Sequence, residues 1–160
     1  TWAAYAIERS ATAEANSESP SNNFAERAFE ALVEGREEIA NGDDPADHAE
    51  TALSAWEATV AVNVIHYINA MESNLEGVSG TISQGDVGED AWGEAKAFAW
   101  GLQFYSDELS EQQLNTILED IGNDPPYGEM SASAYASNLQ DATDILANAY
   151  GFDASNVENW

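Results

Sequence analysis

The chain has 160 residues, 44% of them hydrophobic and 10% aromatic, and it carries 30 Asp and Glu against 4 Lys and Arg, a formal net charge of −26. A chain of this length and apolar content is expected to fold as a single domain, residues 1–160, around its own core. Its charge excludes nucleic acid and anionic membrane surfaces as partners, because both require a basic patch.

The acidic charge also predicts that the protein works at high salt concentration. Exposed carboxylates repel one another, and salt relieves this repulsion when the Debye length falls to about 3 Å near 1 M. Acidic residues, a single lysine and abundant alanine together predict a protein of a halophile, with sodium or potassium counterions at an acidic surface. The loop pattern of an acidic calcium buffer, D-x-[DN]-x-[DN]-G, is absent from the sequence.

The chain contains no cysteine, which excludes disulfides, thiolate metal sites and cysteine nucleophiles. No membrane insertion is expected, because the longest apolar stretch is interrupted by Glu57, Asn63, His66 and Asn69. The sequence begins in a helical pattern without a basic, apolar signal segment, which predicts a mature or trimmed domain.

Two helices are predicted at the start of the chain. The first runs from Trp2 to about Ala15 and ends in the polar breaker 16–20. The second begins after Asn23, which can cap it with Glu26 three residues later, and continues to Asn41-Gly42. Five residues recur at helical spacing and are expected to face the core: Phe24, Ala28, Leu32, Val33 and Ile39.

The longest predicted helix begins at Asp44-Pro45, an N-cap followed by proline, and extends to about Asn74. Its main seam consists of Ala49, Leu53, Trp56, Val60, Val64, Tyr67 and Met71. The segment Leu75–Gly88, with four glycines, is longer than the usual connection of about 4–6 residues. It is either a lid or contact surface or a simple crossover between distant helix ends.

The stretch from Ala91 to Tyr105 is apolar around nearly its whole circumference and is therefore predicted to be the most enclosed helix. A stripe of small residues, Gly93, Ala97 and Gly101, would let another helix approach it closely.

Three further helical segments are predicted after it. A capping box of Ser110 and Gln113 opens a short helix that ends at Gly122. A long helix from about Ser133 to Tyr150 follows, and Ser155 with Glu158 is expected to cap a final turn. No segment has β periodicity, so the predicted fold is an all-α bundle of five main helices plus a short one, without a sheet.

Lys96 is the first candidate site residue, because Trp92 and Trp100 flank it at i−4 and i+4. A bare ammonium in these apolar surroundings would be costly. It is expected either to form a buried ion pair with Glu57 of the long helix or to stack across the two indoles. Both alternatives give Lys96 a structural role. If a ligand or partner also contacts Lys96 and Glu57, the two residues belong to a functional site instead.

The two histidines cannot share a metal ion, because 18 residues of helix place His48 and His66 about 27 Å apart. His66, with Asn63 and Gln103, is a candidate binding or switch site; the alternative is a hydrogen-bonded histidine between helices. The sequence lacks Glu-x-x-His pairs, a G-x-S-x-G elbow and glycine-rich phosphate loops. No catalytic residue, metal site or cofactor is predicted.

A pattern of aromatic, apolar and charged residues is spread over the C-terminal part of the chain, about residues 45–160: Trp92, Glu94, Lys96, Phe98, Leu102-Gln103-Phe104, Tyr135, Leu139, Ala142, Tyr150-Gly151-Phe152-Asp153 and Trp160. This pattern resembles that of uncharacterised helical domains of exported haloarchaeal proteins, of the kind joined to the blue-copper protein halocyanin. Relatives place Asn-Pro after the Gln-Phe pair, where this chain has Tyr105-Ser106. The resemblance implies an extracellular or cell-surface location and no established activity.

These features predict a non-catalytic, extracytoplasmic helical module of a halophilic archaeon that contacts a protein partner or itself, in a cell-surface or electron-transfer assembly. The alternative function is a receptor domain that binds a small molecule or metal in a pocket under the Leu75–Gly88 loop.

Overall fold

The computed structural model describes the backbone of residues 2–16, 23–104 and 106–160, and the side chains of residues 3–10, 23–104 and 106–160. Within these ranges it contains helices and no strand, apart from one isolated bridge between Thr81 and Ser131. The predicted all-α class is confirmed. The helices are α1 (Trp2–Asn16), α2 (Phe24–Asn41), α3 (Ala46–Leu75), α4 (Glu89–Gly101), α5 (Glu111–Ile121), α6 (Ala132–Tyr150) and α7 (Ala154–Val157).

The chain divides into two compact units, Thr1–Thr59 and Val60–Trp160. The long helix α3 begins in the first and ends in the second. The predicted single domain stays a prediction. None of the helices in the described ranges combines the length and the apolar character needed to cross a membrane.

The first unit is built on α1, α2 and the first half of α3. The predicted N-cap of α2 is confirmed, because the Asn23 side chain accepts a hydrogen bond from the backbone N–H of Glu26. Gly42 ends α2 in the left-handed conformation, with φ of 86°. A Cβ at Gly35 would lie 3.1 Å from the Cβ of His48, so this glycine permits the close approach of α3. Of the predicted breaker 16–20, Asn16 is the last residue of α1, and residues 17–20 lie outside the described residues.

The predicted core faces of α2 and α3 are partly wrong. In α2 the buried residues are Phe24, Ala28, Ala31 and Gly35, whereas Leu32 and Ile39 are exposed. In the first half of α3 the buried face is rich in alanine, and Leu53 and Trp56 of the predicted seam are 39% and 42% exposed. Small residues let neighbouring backbones come close, so these helices pack through alanine and glycine and leave larger side chains outside.

The second unit has its most enclosed element in α3. Ala61, Val62, Asn63, Val64 and Ile65 are all fully buried, as are Ile68 and Met71 further along. The prediction that the Ala91–Tyr105 helix is the most enclosed is therefore wrong. In α4 only Ala95, Lys96 and Ala99 are buried, and Trp100 is 52% exposed.

Helix α4 also begins earlier and ends earlier than predicted. It starts at Glu89 and ends at Gly101, and the three residues after it turn back through hydrogen bonds to Ala99, Trp100 and Gly101 carbonyls. Phe104 is consequently 83% exposed. The predicted last residue, Tyr105, lies outside the described residues.

The segment Leu75–Gly88 does connect α3 to α4, and it is anchored to the chain that precedes α6. The Ile82 N–H donates to Met130 O at 3.1 Å, and the Gly128 N–H donates to Ile82 O at 2.9 Å. Ile82 and Val87 are buried, which fixes the segment by apolar contact as well. A pocket under this segment stays a prediction.

The last three helices begin and end close to the predicted residues. The capping box of Ser110 and Gln113 is present, and α5 ends before Gly122 as predicted. Ser131 caps α6, and Gly151 ends it in the left-handed conformation. The predicted cap of the final turn at Ser155 is wrong: α7 begins at Ala154 after Asp153, so Ser155 is already helical.

Candidate functional site

The C-terminal end of α5 is the point at which the side chains predicted around Lys96 meet. The last four carbonyl groups of a helix have no partner inside the helix, and within the described residues only Leu118 O of α5 receives a backbone bond, from the N–H of Gly122. Here Lys96 Nζ donates to Leu118 O at 2.7 Å, and Trp92 Nε1 donates to Ile121 O at 3.0 Å. The Tyr135 hydroxyl donates to the same Ile121 oxygen at 2.8 Å. Helices α4 and α6 therefore hold α5 by capping its end.

Lys96 places a positive charge at the C-terminal end of α5. The last turn of α5 has no basic residue of its own, and the C-terminal end of a helix carries partial negative charge. The Lys96 side chain is 4% exposed, and its Nζ lies 5.7 Å from the centre of the Trp100 ring. Burial lowers the pKa of Lys96 below its ordinary value. These contacts give the residue a structural role in joining α4 to α5.

The other predicted partner of Lys96 was Glu57. Glu57 is 5% exposed and belongs to the first unit, whereas Lys96 belongs to the second. Their ion pair stays a prediction.

Tyr135 also belongs to this cluster, although the sequence singled it out only as one of the residues that carry the resemblance. It is 1% exposed, and burial raises the pKa of its hydroxyl far above the ordinary value, so the group remains a hydrogen-bond donor. The sequence carries no local signal for its bond to Ile121 O, because the two residues meet only after α5 and α6 pack.

His66, Asn63 and Gln103 are not brought together around one cavity. Asn63 is fully buried, and Gln103 is exposed beyond the end of α4. His66 is half-buried and packs its ring edge-on against Tyr67, with centroids 4.9 Å apart. It lines a cavity of about 640 Å³ between α3 and α4 that neither of the other two residues lines.

His48 has acidic partners that its own helix does not supply. Its Nδ1 lies 3.4 Å from Glu34 Oε2 and its Nε2 lies 3.3 Å from Glu38 Oε1, both on α2. These two contacts cannot be predicted from the neighbours of His48 along α3, because both carboxylates belong to α2. In the described part of the chain, no group of three or more His, Asp or Glu is arranged to hold a metal ion.

One face of α2 is apolar, exposed and free of carboxylates. Phe29, Leu32 and Ile39 are 68%, 53% and 63% exposed, and Arg36 between them is also exposed. These four residues, the α2 stripe, are spaced by three, four and three, which is the spacing of a helix seam that packs against another helix. At 3.6 residues per turn, the glutamates of α2 point to other sides of the helix.

The composition of the α2 stripe resembles that of protein contact surfaces. Aromatic residues and Arg are enriched in such surfaces, and acidic residues are depleted. The α2 stripe is therefore the candidate functional site of the first unit.

Comparison with known proteins gives no relative: no family model matches the chain, and no curated protein and no solved structure is significantly similar to it.

Proposed function

We propose that the protein is a non-catalytic, extracytoplasmic helical module of a halophilic archaeon, and that it contacts another protein through the α2 stripe. The sequence resemblance implies an extracellular or cell-surface location, and the proposed setting is a cell-surface or electron-transfer assembly. The observation that carries the proposal is the exposed, carboxylate-free seam of Phe29, Leu32, Arg36 and Ile39. Burial of its apolar side chains would favour association with a partner by about 25 cal/mol per Å² of apolar area removed from water.

The proposed partner is a different chain that presents an apolar helix face with a carboxylate for Arg36. A second copy fits less well, because the α2 stripe contains no carboxylate, so two stripes packed against each other would offer neither Arg36 an acidic partner. Arg36 is the one cation of the α2 stripe and would bind a carboxylate of the partner. Arg suits this role because its planar guanidinium binds carboxylates with two parallel hydrogen bonds.

Site-specific photo-cross-linking tests this proposal in intact cells of the source organism. The photo-reactive amino acid p-benzoylphenylalanine is placed at position 29 in one strain and at position 30 in a matched control. We expect a discrete adduct with another protein from position 29 only, because Glu30 is exposed on a different side of the same helix. Leu32→Glu, combined with the probe at position 29, should reduce the adduct at least about tenfold, as expected for a charge placed in a contact seam.

Three outcomes contradict the proposal. The adduct could be absent at position 29, it could form equally at positions 29 and 30, or it could have twice the mass of the chain. The last result would identify a second copy as the occupant of the α2 stripe.

A further inference from the structure

Asn41 is the only asparagine in the chain that is followed by glycine. It is exposed and is the last residue of α2, and Gly42 after it ends the helix in the left-handed conformation. Apart from the chain neighbours of Gly42, no described atom lies within 4 Å of the position that a Cβ of Gly42 would take. The link between the two residues is therefore not enclosed by other segments of the chain.

This pair of residues has a chemical reactivity that neither residue has alone. The backbone nitrogen of the residue after an asparagine can attack the side-chain carbon Cγ and close a cyclic imide. A side chain on that following residue hinders the attack, and glycine has none. The exposed side chain of Asn41 is also open to the water that completes the reaction. Asn41 and Gly42 are therefore a candidate site of deamidation.

The folded end of α2 keeps the attacking nitrogen occupied. The Gly42 N–H donates to the carbonyl oxygens of Glu38 and Ile39, and its distance to Ile39 O is 3.2 Å. The Asp43 N–H donates to Glu38 O at 2.9 Å, which completes the usual closure of a helix by a left-handed glycine. The Gly42 nitrogen must lose its proton before it attacks, and in the closed helix end that proton is held in hydrogen bonds. The reaction therefore requires local opening of α2.

Such opening is expected at this position even in the folded protein. Helix ends open more readily than helix interiors. The last turn of α2 has no basic residue, and the charges of Glu37, Glu38 and Asp43 lie beside the partial negative charge of the helix end. One contact opposes opening, because His48 Nε2 of α3 lies 3.3 Å from Glu38 Oε1.

We propose that Asn41 and Gly42 form a self-modification site, at which opening of the end of α2 converts Asn41 to aspartate or isoaspartate. Hydroxide removes the Gly42 N–H proton, and a bond forms between the Gly42 nitrogen and Asn41 Cγ. The bond from Cγ to Nδ2 breaks, and Nδ2 leaves as ammonia with a proton from water, which regenerates hydroxide. Water then hydrolyses the cyclic imide. Its attack at Cγ gives aspartate, and its attack at the backbone carbonyl carbon of Asn41 gives isoaspartate.

Either product changes the end of α2. Aspartate adds a carboxylate where the helix already carries partial negative charge. Isoaspartate passes the main chain through Cγ and lengthens it by a methylene group, so the N–H groups of Gly42 and Asp43 can no longer close the last turn as before. The site therefore records the opening of α2 as a covalent change.

Incubation of the whole protein in molar KCl and mildly alkaline buffer, followed by peptide mass spectrometry, tests this proposal. We expect aspartate and isoaspartate to form at Asn41 at least about tenfold faster than at Asn115 and Asn148. These two asparagines are exposed on α5 and α6 and are followed by Thr116 and Ala149, so they control for exposure and for helical position. Unfolding with guanidinium chloride should accelerate the reaction at Asn41 at least about tenfold, because the helix end is then fully open.

A substitution at Gly42 separates the chemistry of glycine from simple exposure. Gly42→Ala should slow the reaction at Asn41 at least about tenfold, although alanine strains a left-handed helix end. Gly77→Ala is the matched control, because Gly77 is exposed, has φ of 78° and lies outside α2; it should leave the rate at Asn41 within about twofold of wild type. If Gly42→Ala does not fold, the comparison is made in guanidinium chloride, where wild type and variant are both unfolded.

The proposal is overturned if Asn41 reacts no faster than Asn115 and Asn148, or if Gly42→Ala reacts as fast as wild type. It is also overturned if the folded and the unfolded protein react equally fast, because opening of α2 would then not control the reaction.

Discussion

Dilution of salt from molar to millimolar concentration at pH 7 is expected to unfold most of the protein. The formal charge of −26 is carried by a chain of 160 residues, and the Debye length grows from about 3 Å at 1 M to about 30 Å at 10 mM. In molar salt the ions screen the carboxylates from one another. In dilute buffer this screening is lost, and the carboxylates repel one another across the whole chain. Circular dichroism should show loss of the helix signal, together with a fall of Tm, as KCl or NaCl is diluted.

The pH dependence of this unfolding has a definite sign. Asp and Glu begin to protonate near pH 4, so lowering the pH in dilute salt should restore part of the helix signal. Glu72 and Asp120 should protonate before typical carboxylates, because burial and neighbouring acidic groups raise the pKa of each. As a matched test, Glu30→Gln with Glu37→Gln on the exposed side of α2 should move the transition to lower salt. A Tm that stays constant across the salt range contradicts the repulsion argument.

Truncation of Lys96 is expected to have the second large effect. Lys96→Ala removes the ammonium that caps α5 at Leu118 O and leaves a cavity beside Trp100. A hydrogen bond to a charged group contributes about 1.5–3 kcal/mol, and the lost packing adds to this. We expect a fall in Tm of about 5–10 °C, since a protein of this size loses about 2–4 °C per kcal/mol. Lys96→Met should cost less, because it keeps a side chain of similar length.

A double-mutant cycle of Lys96→Met with Glu57→Ala tests the predicted ion pair in the same melting experiment. A coupling of about 0.5–3 kcal/mol is expected if the two side chains interact, and additive effects would contradict the pair. Arg36→Met, on the exposed surface of α2, is the matched control for loss of a cation, and it should change stability by no more than about 0.5 kcal/mol.

If Lys96→Ala, Lys96→Met and Glu57→Ala all melt within about a degree of wild type, Lys96 does not anchor α5. If they melt alike but lose a ligand or partner, Lys96 and Glu57 belong to a functional site.

The sequence by itself determined most of the helix ends of this protein, with the two ends of α4 and the start of α7 as the exceptions. Helix ends depend on residues within a few positions of each other, and here the signals at Asn23, Gly42, Ser110, Gly122 and Gly151 all mark real ends. The all-α class follows from the same short-range periodicity. The acidic charge and its consequences in salt also require only the composition.

Tertiary structure alone decided which faces are buried. Periodicity identifies an apolar face but not the side from which a neighbour arrives, so the seam at Leu53 and Trp56 and the residues Leu32 and Ile39 were wrongly expected in the core. The same limit explains why Ala91–Tyr105 was expected to be the most enclosed helix, although α3 is more deeply buried.

The candidate sites depend on tertiary structure even more strongly. Lys96 is singled out by its two tryptophan neighbours along the helix, but its hydrogen-bond acceptor, Leu118 O, is a backbone atom 22 residues away. The partners of His48 likewise come from another helix. Backbone carbonyls have no residue-specific signature, and contacts between distant segments are created by packing, so neither can be read from spacing along the chain.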